Sequence, residues 1–194
     1  MNGLMRLHPS HASISWIAAC VLFGGLSFVQ AESADLIVNG DFQTAPPAQG
    51  GVPDWTVKGD MTQALVVQED GNGFLRLNLP QQGYMQVLQQ FPVGKDWTGL
   101  SVSAKVRIQG LKKGPESYNT VTLLYTFEDE KGQHVGEWNQ KMFQADQGWE
   151  PFEMTIEPIP EGAKTLTVAC SIMNASGTAD FDEVVVKPLT AAGK

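Results

Sequence analysis

The feature that most constrains the fold of this chain is a short alternation of apolar and polar residues that recurs after residue 31. Residues 101–108 (SVSAKVRI) show it well, since every second residue is apolar. Successive side chains of a β-strand point to opposite faces, so such a run buries one face and exposes the other. Turn-forming residues, such as the DGNG sequence at 70–73, separate the runs. The pattern predicts an all-β sandwich of roughly ten strands in two antiparallel sheets.

The alternation also predicts the core between the two sheets. The predicted core residues are Leu75, Leu77, Leu79, Met85, Val87, Phe91, Val102, Ala104, Val106, Ile108, Val121, Leu123, Tyr125, Phe127, Phe152, Met154, Ile156, Leu166, Val168, Cys170 and Ile172. Cys170 is the only cysteine after residue 31, so no disulfide forms within that part of the chain. Its strand-like surroundings predict a packed core thiol; the alternative is a reactive nucleophile.

The first 31 residues have the composition of a targeting segment. A weakly basic start that contains Arg6 precedes an apolar run at 14–29, and the sequence VQA at 29–31 suits a signal peptidase. We therefore expect a signal peptide at residues 1–31 and a secreted or periplasmic protein. The sequence IAAC ending at Cys20 leaves a lipoprotein as an alternative. A membrane span is disfavoured, because glycine and serine interrupt a run that is already short of about 20 residues.

Charge and length limit the function of the remaining chain. The leader holds one basic residue, Arg6, and no acid, so its removal shifts the net charge from −8 to −9. Such a charge repels nucleic acid. About 160 residues suffice for one domain, which we place at 35–187, followed by a short polar tail at 188–194.

The two ends of this domain are expected to meet. Residues 36–42 (LIVNGDF) predict a strand that ends in a turn, because Asn39 and Gly40 both suit a positive φ. Residues 179–186 (ADFDEVVV) predict the last strand. Pairing between the two would close the domain.

Four pieces of sequence, in order, carry a resemblance to a known family. They are LIVNGDF at 36–42, Trp55, GWEPF at 148–152 with PEGA at 160–163, and FDEV at 181–184. Together they resemble the carbohydrate-binding modules of the cellulase-C type, families 4, 9 and 22. The resemblance implies a galactose-binding-like jelly roll that binds sugar, and it extends over nearly the whole domain.

The same resemblance implies a structural calcium site between the opening and closing motifs. Asp182 matches the closing carboxylate, whereas Gln43 stands where the family has glutamate. An amide oxygen can still bind Ca²⁺, although one negative charge is lost. Asp70 is the candidate for a third ligand. The alternative is that Asp182 caps a turn and that Gln43 is solvated.

Sugar recognition needs aromatic faces for the C–H side of the ring and polar groups for its hydroxyls. The outward positions of the predicted strands supply such groups, provided that these strands are neighbours in one sheet. The candidate ligand-binding residues are Arg76, Asn78, Tyr84, Gln86, Arg107 and Trp138. Tyr84 lies near an aromatic position that stacks on sugar in the resembling modules. The alternative is an ordinary solvated face.

The other tryptophans have structural interpretations. Trp138 follows a glycine turn and is either displayed on a loop or packed in the core. Trp55 and Trp149 are assigned to the core, and Trp97 to a loop that covers the sandwich edge.

The sequence offers little for catalysis. His134 is the only histidine after the leader, which leaves a Ser-His-Asp triad without support. The acids cluster in turns rather than facing each other, as glycoside hydrolysis requires. The expected function is therefore non-catalytic polysaccharide binding. The alternatives are a structural or protein-interaction module of the cell envelope and a small glycan hydrolase or lyase; an envelope protein or a glycosidase is the expected protein partner.

Overall fold

The structure, a computed structural model, describes residues 34–46, 48 and 50–191. The predicted signal peptide, with Cys20, and the last residues of the predicted tail lie outside this part. Eight strands and one 3₁₀ turn, Met61–Gln63, are found within it. The strands are β1 (Thr56–Lys58), β2 (Ala64–Glu69), β3 (Asn72–Pro92), β4 (Trp97–Lys112), β5 (Val121–Glu128), β6 (His134–Phe143), β7 (Gln147–Ile156) and β8 (Thr165–Thr190). In this described part, no helix is long and apolar enough to cross a membrane.

All strand pairs are antiparallel, and the two longest strands belong to both layers. The register of β3 with β8 shifts between Leu79 and Gly83, opposite residues 175–177. We call the layer made of β1, residues 83–92, residues 165–175, β5 and β6 sheet I. Sheet II is made of β2, residues 72–79, residues 176–190, β4 and β7.

β8 passes from sheet I to sheet II at a glycine. Gly177 has a φ of 129°, and a Cβ there would lie 2.9 Å from the carbonyl oxygen of Gly110. Any other residue would be strained at this φ and would collide with β4. The sequence pattern predicted separate strands on either side of this point, and likewise on either side of residues 80–83. The structure joins each pair into one strand, so that eight strands give five members to each sheet.

Every predicted core residue is buried or packs against the core. The Tyr125 hydroxyl of sheet I contacts the Met154 sulfur of sheet II, and Phe143 meets Phe152 edge-on with ring centroids 6.3 Å apart. Full burial of each large apolar side chain stabilises the fold by about 1.5–3 kcal/mol. Cys170 is fully buried, and burial raises the pKa of its thiol, so the packed-thiol prediction is confirmed.

The opening segment lies beside β8, as predicted, but it is not a strand. The Leu36 N–H donates to the Val186 carbonyl at 2.8 Å, and the Val184 N–H donates to the Gly40 carbonyl at 2.9 Å. Positive φ values at Asn39 (53°) and at Phe42 interrupt the extended backbone between and after these bonds. The predicted strand is therefore wrong, whereas the predicted meeting of the two ends is confirmed.

The turns of this segment place its aromatic ring in the core. Phe42 is fully buried and stacks on Trp55 at a centroid distance of 5.5 Å. Trp55 is 7% exposed and belongs to the core, as predicted, and its indole N–H donates to the Asn39 carbonyl at 3.1 Å.

The last strand continues further than predicted. Pro188, Leu189 and Thr190 pair with the beginning of β4, so this part of the predicted tail belongs to sheet II. Trp97, predicted to lie in a loop, is the first residue of β4 and pairs with Thr190.

Candidate functional site

β3 passes from sheet II to sheet I at the register shift between Leu79 and Gly83, and this divides the predicted ligand-binding residues between two faces. Tyr84 and Gln86 lie on the outer face of sheet I, with Trp138 on β6 of the same sheet. Arg76, Asn78 and Arg107 lie on the outer face of sheet II. The sequence predicted one cleft from the strand residues among these six, and the structure instead divides the six equally between the two sheets.

The outer face of sheet I is built from rows of residues in register across adjacent strands. One row is Lys58, Gln86, Ser171, Thr122 and Met142, and the next is Thr56, Leu88, Ala169, Leu124 and Gln140. Tyr84 with Met173 begins the face at one end, and Gln90, Thr167 and Thr126 continue it at the other. In the rows from the one that contains Gln86 to the one that contains Thr126, no residue on β3, β8 or β5 carries a charge.

Polar groups at the middle of this face are buried. Gln86 is 6% exposed, and Ser171 and Thr122 are fully buried. The Ser171 hydroxyl donates to the Ala169 carbonyl at 3.5 Å. The Thr122 hydroxyl has no hydrogen-bond partner among the described residues. A buried hydroxyl without a partner costs about 1–3 kcal/mol, so Thr122 lowers the stability of the fold by an amount of this order.

Apolar residues lie next to these polar groups. Leu88, Ala169 and Leu124 form a small cluster of their own, separate from the core between the sheets. Alternation alone predicted Leu88 and Leu124 to point outward, and the register shows that both do. All three are buried, with at most 8% of Leu124 exposed, so the middle of this face is apolar but offers little accessible surface.

Two exposed aromatic residues stand at opposite ends of the face. Tyr84 is 49% exposed, and partial burial raises the pKa of its hydroxyl. Trp138 is 66% exposed, so of the two alternatives for this residue core packing is excluded. From the strand spacing and the rise per residue, the two side chains are separated by about 25 Å, three strands and six residues apart.

A bulge in β6 displays Trp138. The register of β5 with β6 shifts between Tyr125 and Phe127, so that residues 136–138 oppose Thr126 alone. The indole ring stacks on the His134 ring at a centroid distance of 3.9 Å and an interplanar angle of 9°. This stacking fixes the orientation of the indole and leaves its other face open. Neither the bulge nor the stacking has a sequence signal beyond the glycine at 136.

The arginines of sheet II have partners of their own. Asp180, 1% exposed, accepts hydrogen bonds from Arg76 and from Arg107, and Arg107 also pairs with Glu69 at 2.8 Å. The Arg107 guanidinium lies 4.7 Å from the centre of the Trp149 ring. Two cations face two carboxylates, so this outer face is a charge-balanced cluster whose guanidinium donors are largely used within the protein.

Trp149 and Asn78 also lie on the outer face of sheet II. Trp149 was predicted to be a core residue, but it is half-buried on the outer face of sheet II, where it meets Phe74 edge-on at 5.3 Å. The alternation that buries Phe152, Met154 and Ile156 places residue 149 on the opposite face, so the core assignment went against the phase of its own strand. The Asn78 side-chain oxygen accepts from the Thr178 hydroxyl at 3.1 Å.

Two of the three residues proposed as calcium ligands are linked through the side-chain amide of Asn72. Asn72 links Gln43 to Asp182, while Asp70 lies in the turn before β3 with a φ of 52°. Burial raises the pKa of Asp182, the one carboxylate of this bridge. Throughout the described ranges, no group of three or more His, Cys, Asp or Glu residues is arranged to hold a metal ion. Calcium takes 6–8 oxygen ligands, usually with several carboxylates, so the side chains present fit this ion poorly.

Comparison with known proteins identifies the fold. No family model matches this sequence, and no curated protein matches it. Among solved structures, a CBM61 module in complex with β-1,4-galactotriose matches 81% of this chain and 100% of its own length, with 15% identity and a TM-score of 0.54. A structure described as CBM4 matches 79% of this chain and 99% of its own length, with 18% identity and a TM-score of 0.51. The CBM22-1 xylan-binding domain from Paenibacillus barcinonensis matches 83% and 98%, with 17% identity and a TM-score of 0.51.

These likenesses establish the β-sandwich fold of carbohydrate-binding modules. This chain also spans 21% of a bacteriophage CBA120 tailspike protein and 27% of an α-L-arabinofuranosidase, so it corresponds to a part of those longer proteins. A cyclase from Fischerella shares the fold as well, with a TM-score of 0.54 and 12% identity. The fold hosts both binding and catalysis, and the function must therefore be argued from the site.

Proposed function

We propose that this protein is a non-catalytic domain that binds a neutral polysaccharide on the outer face of sheet I. The observation that carries the proposal is the pair of exposed rings, Tyr84 at 49% and Trp138 at 66%, at the two ends of a face whose central strands carry no charge. The aromatic rings would stack on sugar rings. The more accessible amides of the same face, those of Gln90 and Gln140, would bind their hydroxyls.

The chemistry of the face suits an extended, uncharged glycan. A sugar ring presents apolar C–H groups on its faces and hydroxyls around its edge, and this face offers apolar, amide and hydroxyl groups side by side. The central strands carry no charge there, and the acidic chain repels anionic polysaccharides. The separation of about 25 Å between the two aromatic residues favours a chain of several sugars over a single one.

The fold supports the same class of function. Structures that share it include a module bound to β-1,4-galactotriose and a xylan-binding domain. A glycan outside the cell would also agree with the predicted signal peptide, and we propose a secreted or periplasmic location on that basis.

Affinity electrophoresis tests the proposal. The mature protein is run through gels that contain a soluble β-glucan, xylan, β-1,4-galactan or, as an anionic comparison, polygalacturonate. We expect retardation by at least one neutral polysaccharide and none by polygalacturonate. A folded sample that no neutral polysaccharide retards would refute the proposal.

A further inference from the structure

The side-chain amide of Gln43 closes the junction between the opening segment and the two central strands. Its Nε2 lies 2.8 Å from the Asp41 carbonyl oxygen, 3.1 Å from the Asn72 side-chain oxygen and 3.2 Å from the Gly73 carbonyl oxygen. The Gly73 N–H donates to Gln43 Oε1 at 3.3 Å. That bond assigns the oxygen to one end of the amide and the NH₂ group to the other.

Three oxygens around one nitrogen resemble the surroundings of a small cation. Backbone and amide carbonyl oxygens are the neutral ligands that calcium uses in proteins. Here they receive the two hydrogens of an uncharged NH₂ group instead. The junction therefore has the acceptor geometry of a cation site without the negative charge that such a site normally needs.

The closing carboxylate is engaged in the same network. Asn72 Nδ2 donates to Asp182 Oδ2 at 2.9 Å, and the Glu183 N–H donates to Asp182 Oδ1 at 2.7 Å. Asp182 is 5% exposed. Both of its oxygens thus have donors, and a continuous path of hydrogen bonds runs from Gln43 through Asn72 to the last strand.

We propose that the Gln43 amide takes the place of a structural cation, so that the fold is closed at this junction without calcium. This disagrees with the calcium site that the family resemblance implies. Gln43 is exposed, and a carboxylate at this position would set an oxygen in place of the NH₂ group against the same three oxygens, a repulsion that a bound cation would relieve. The glutamine that stands in place of the family's glutamate therefore accounts for the difference between the implied calcium site and the hydrogen-bonded junction found here. This inference is independent of the proposed glycan binding.

The thermal unfolding midpoint in EDTA and in millimolar CaCl₂ tests this inference. We expect the wild-type protein to have the same Tm in both buffers. Gln43→Glu should have a Tm several degrees lower in EDTA and should recover most of this loss in CaCl₂, since a ligand that binds only the folded state stabilises it. Gln109→Glu, an exposed glutamine of β4, is the matched control and should respond to neither buffer.

The results that would overturn the proposal are specific. One is a rise of the wild-type Tm in CaCl₂ that exceeds the rise of the control. Another is a Gln43→Glu variant that is as stable as wild type in EDTA. Should that variant fail to fold in EDTA, Gln43→Met decides, because it removes the donors without adding charge. We expect a Tm below wild type by the same amount in both buffers, and an unchanged Tm would refute the role of the amide.

Discussion

Arg76 donates two hydrogen bonds to Asp180, from Nε to Oδ1 at 2.7 Å and from Nη2 to Oδ2 at 2.9 Å. The carboxylate lies on the last strand, directly opposite the arginine, and it is 1% exposed. Arg107 approaches the same carboxylate from the other side at 2.8 Å. This relationship ties the three central strands of sheet II together and leaves the arginines with a structural role.

Replacement of Asp180 by asparagine should destabilise the fold while leaving glycan binding unchanged. The change removes the charge that two guanidinium groups share in a mostly buried setting, and we expect a loss of about 2–4 kcal/mol in the free energy of unfolding. Urea titration measures it. Glu183→Gln, which breaks the exposed pair with Lys105, is the control and should leave the free energy of unfolding nearly unchanged. Loss of polysaccharide retardation in a folded Asp180→Asn variant would instead place the ligand on sheet II.

Thr122→Val should separate binding from stability. Valine has nearly the same shape but lacks the unpartnered hydroxyl, so the free energy of unfolding should stay the same or increase by about 1 kcal/mol. Binding of the retained polysaccharide should be unchanged, because the hydroxyl is fully buried. Isothermal titration calorimetry and urea titration measure the two quantities. A valine variant with lower stability and unchanged affinity would show that the hydroxyl serves the fold.

The two exposed aromatic residues should both contribute to glycan affinity. Trp138→Ala and Tyr84→Ala each remove a stacking surface, and we expect each to weaken binding about tenfold or more, with little change in stability because both side chains are largely exposed. Leu65→Ala, an exposed apolar residue on the outer face of sheet II, is the matched control. Equal effects of all three substitutions on affinity would contradict the proposed face.

The stability of the protein should fall between about pH 10 and about pH 12 because of Tyr125. Burial raises the pKa of Tyr125 to about 12 in the folded protein, whereas an unfolded tyrosine ionises near pH 10. In this interval the unfolded chain loses a proton that the folded protein keeps, so the free energy of unfolding decreases as the pH rises. The effect is absent below about pH 10.

Tyr125→Phe should remove this part of the alkaline loss, which amounts to about 2–3 kcal/mol. Urea titrations at several pH values measure the difference between the variant and wild type. Tyr118→Phe, at a half-exposed ring, is the control and should follow wild type. Parallel curves for wild type and Tyr125→Phe up to pH 12 would show that the phenol ionises without unfolding.

Gly40→Ala should prevent the opening segment from closing against the last strand. A Cβ at this position would overlap the Val184 carbonyl oxygen, whose residue donates its N–H to the Gly40 carbonyl. We expect a loss of about 2 kcal/mol or more, measured by urea titration, since backbone must move to admit the methyl group. Gly148→Ala meets nothing within 4 Å and should be neutral or slightly stabilising. Similar stabilities of the two variants would contradict the close approach at Gly40.

The core was predictable because a strand has a period of two, so that a local pattern suffices to separate inward from outward residues. Leu123 and Val168 illustrate this: each was assigned from its own strand, and each is fully buried. The contact between the two ends of the domain was predictable from the motifs at 36–42 and 181–184. The bulge that displays Trp138 was not, since it depends on the register between β5 and β6.

The sequence by itself determined that this chain forms a two-sheet β-sandwich and which face of most strands the core covers. Only the tertiary structure decided which outward residues share a surface, because β3 and β8 each cross from one sheet to the other. Arg76 and Tyr84 are eight residues apart on the same strand, with the same outward phase, yet they belong to opposite faces of the molecule. Alternation indicates only whether a side chain points away from the core. The point at which β3 or β8 passes from one sheet to the other decides which of the two outer faces the side chain joins.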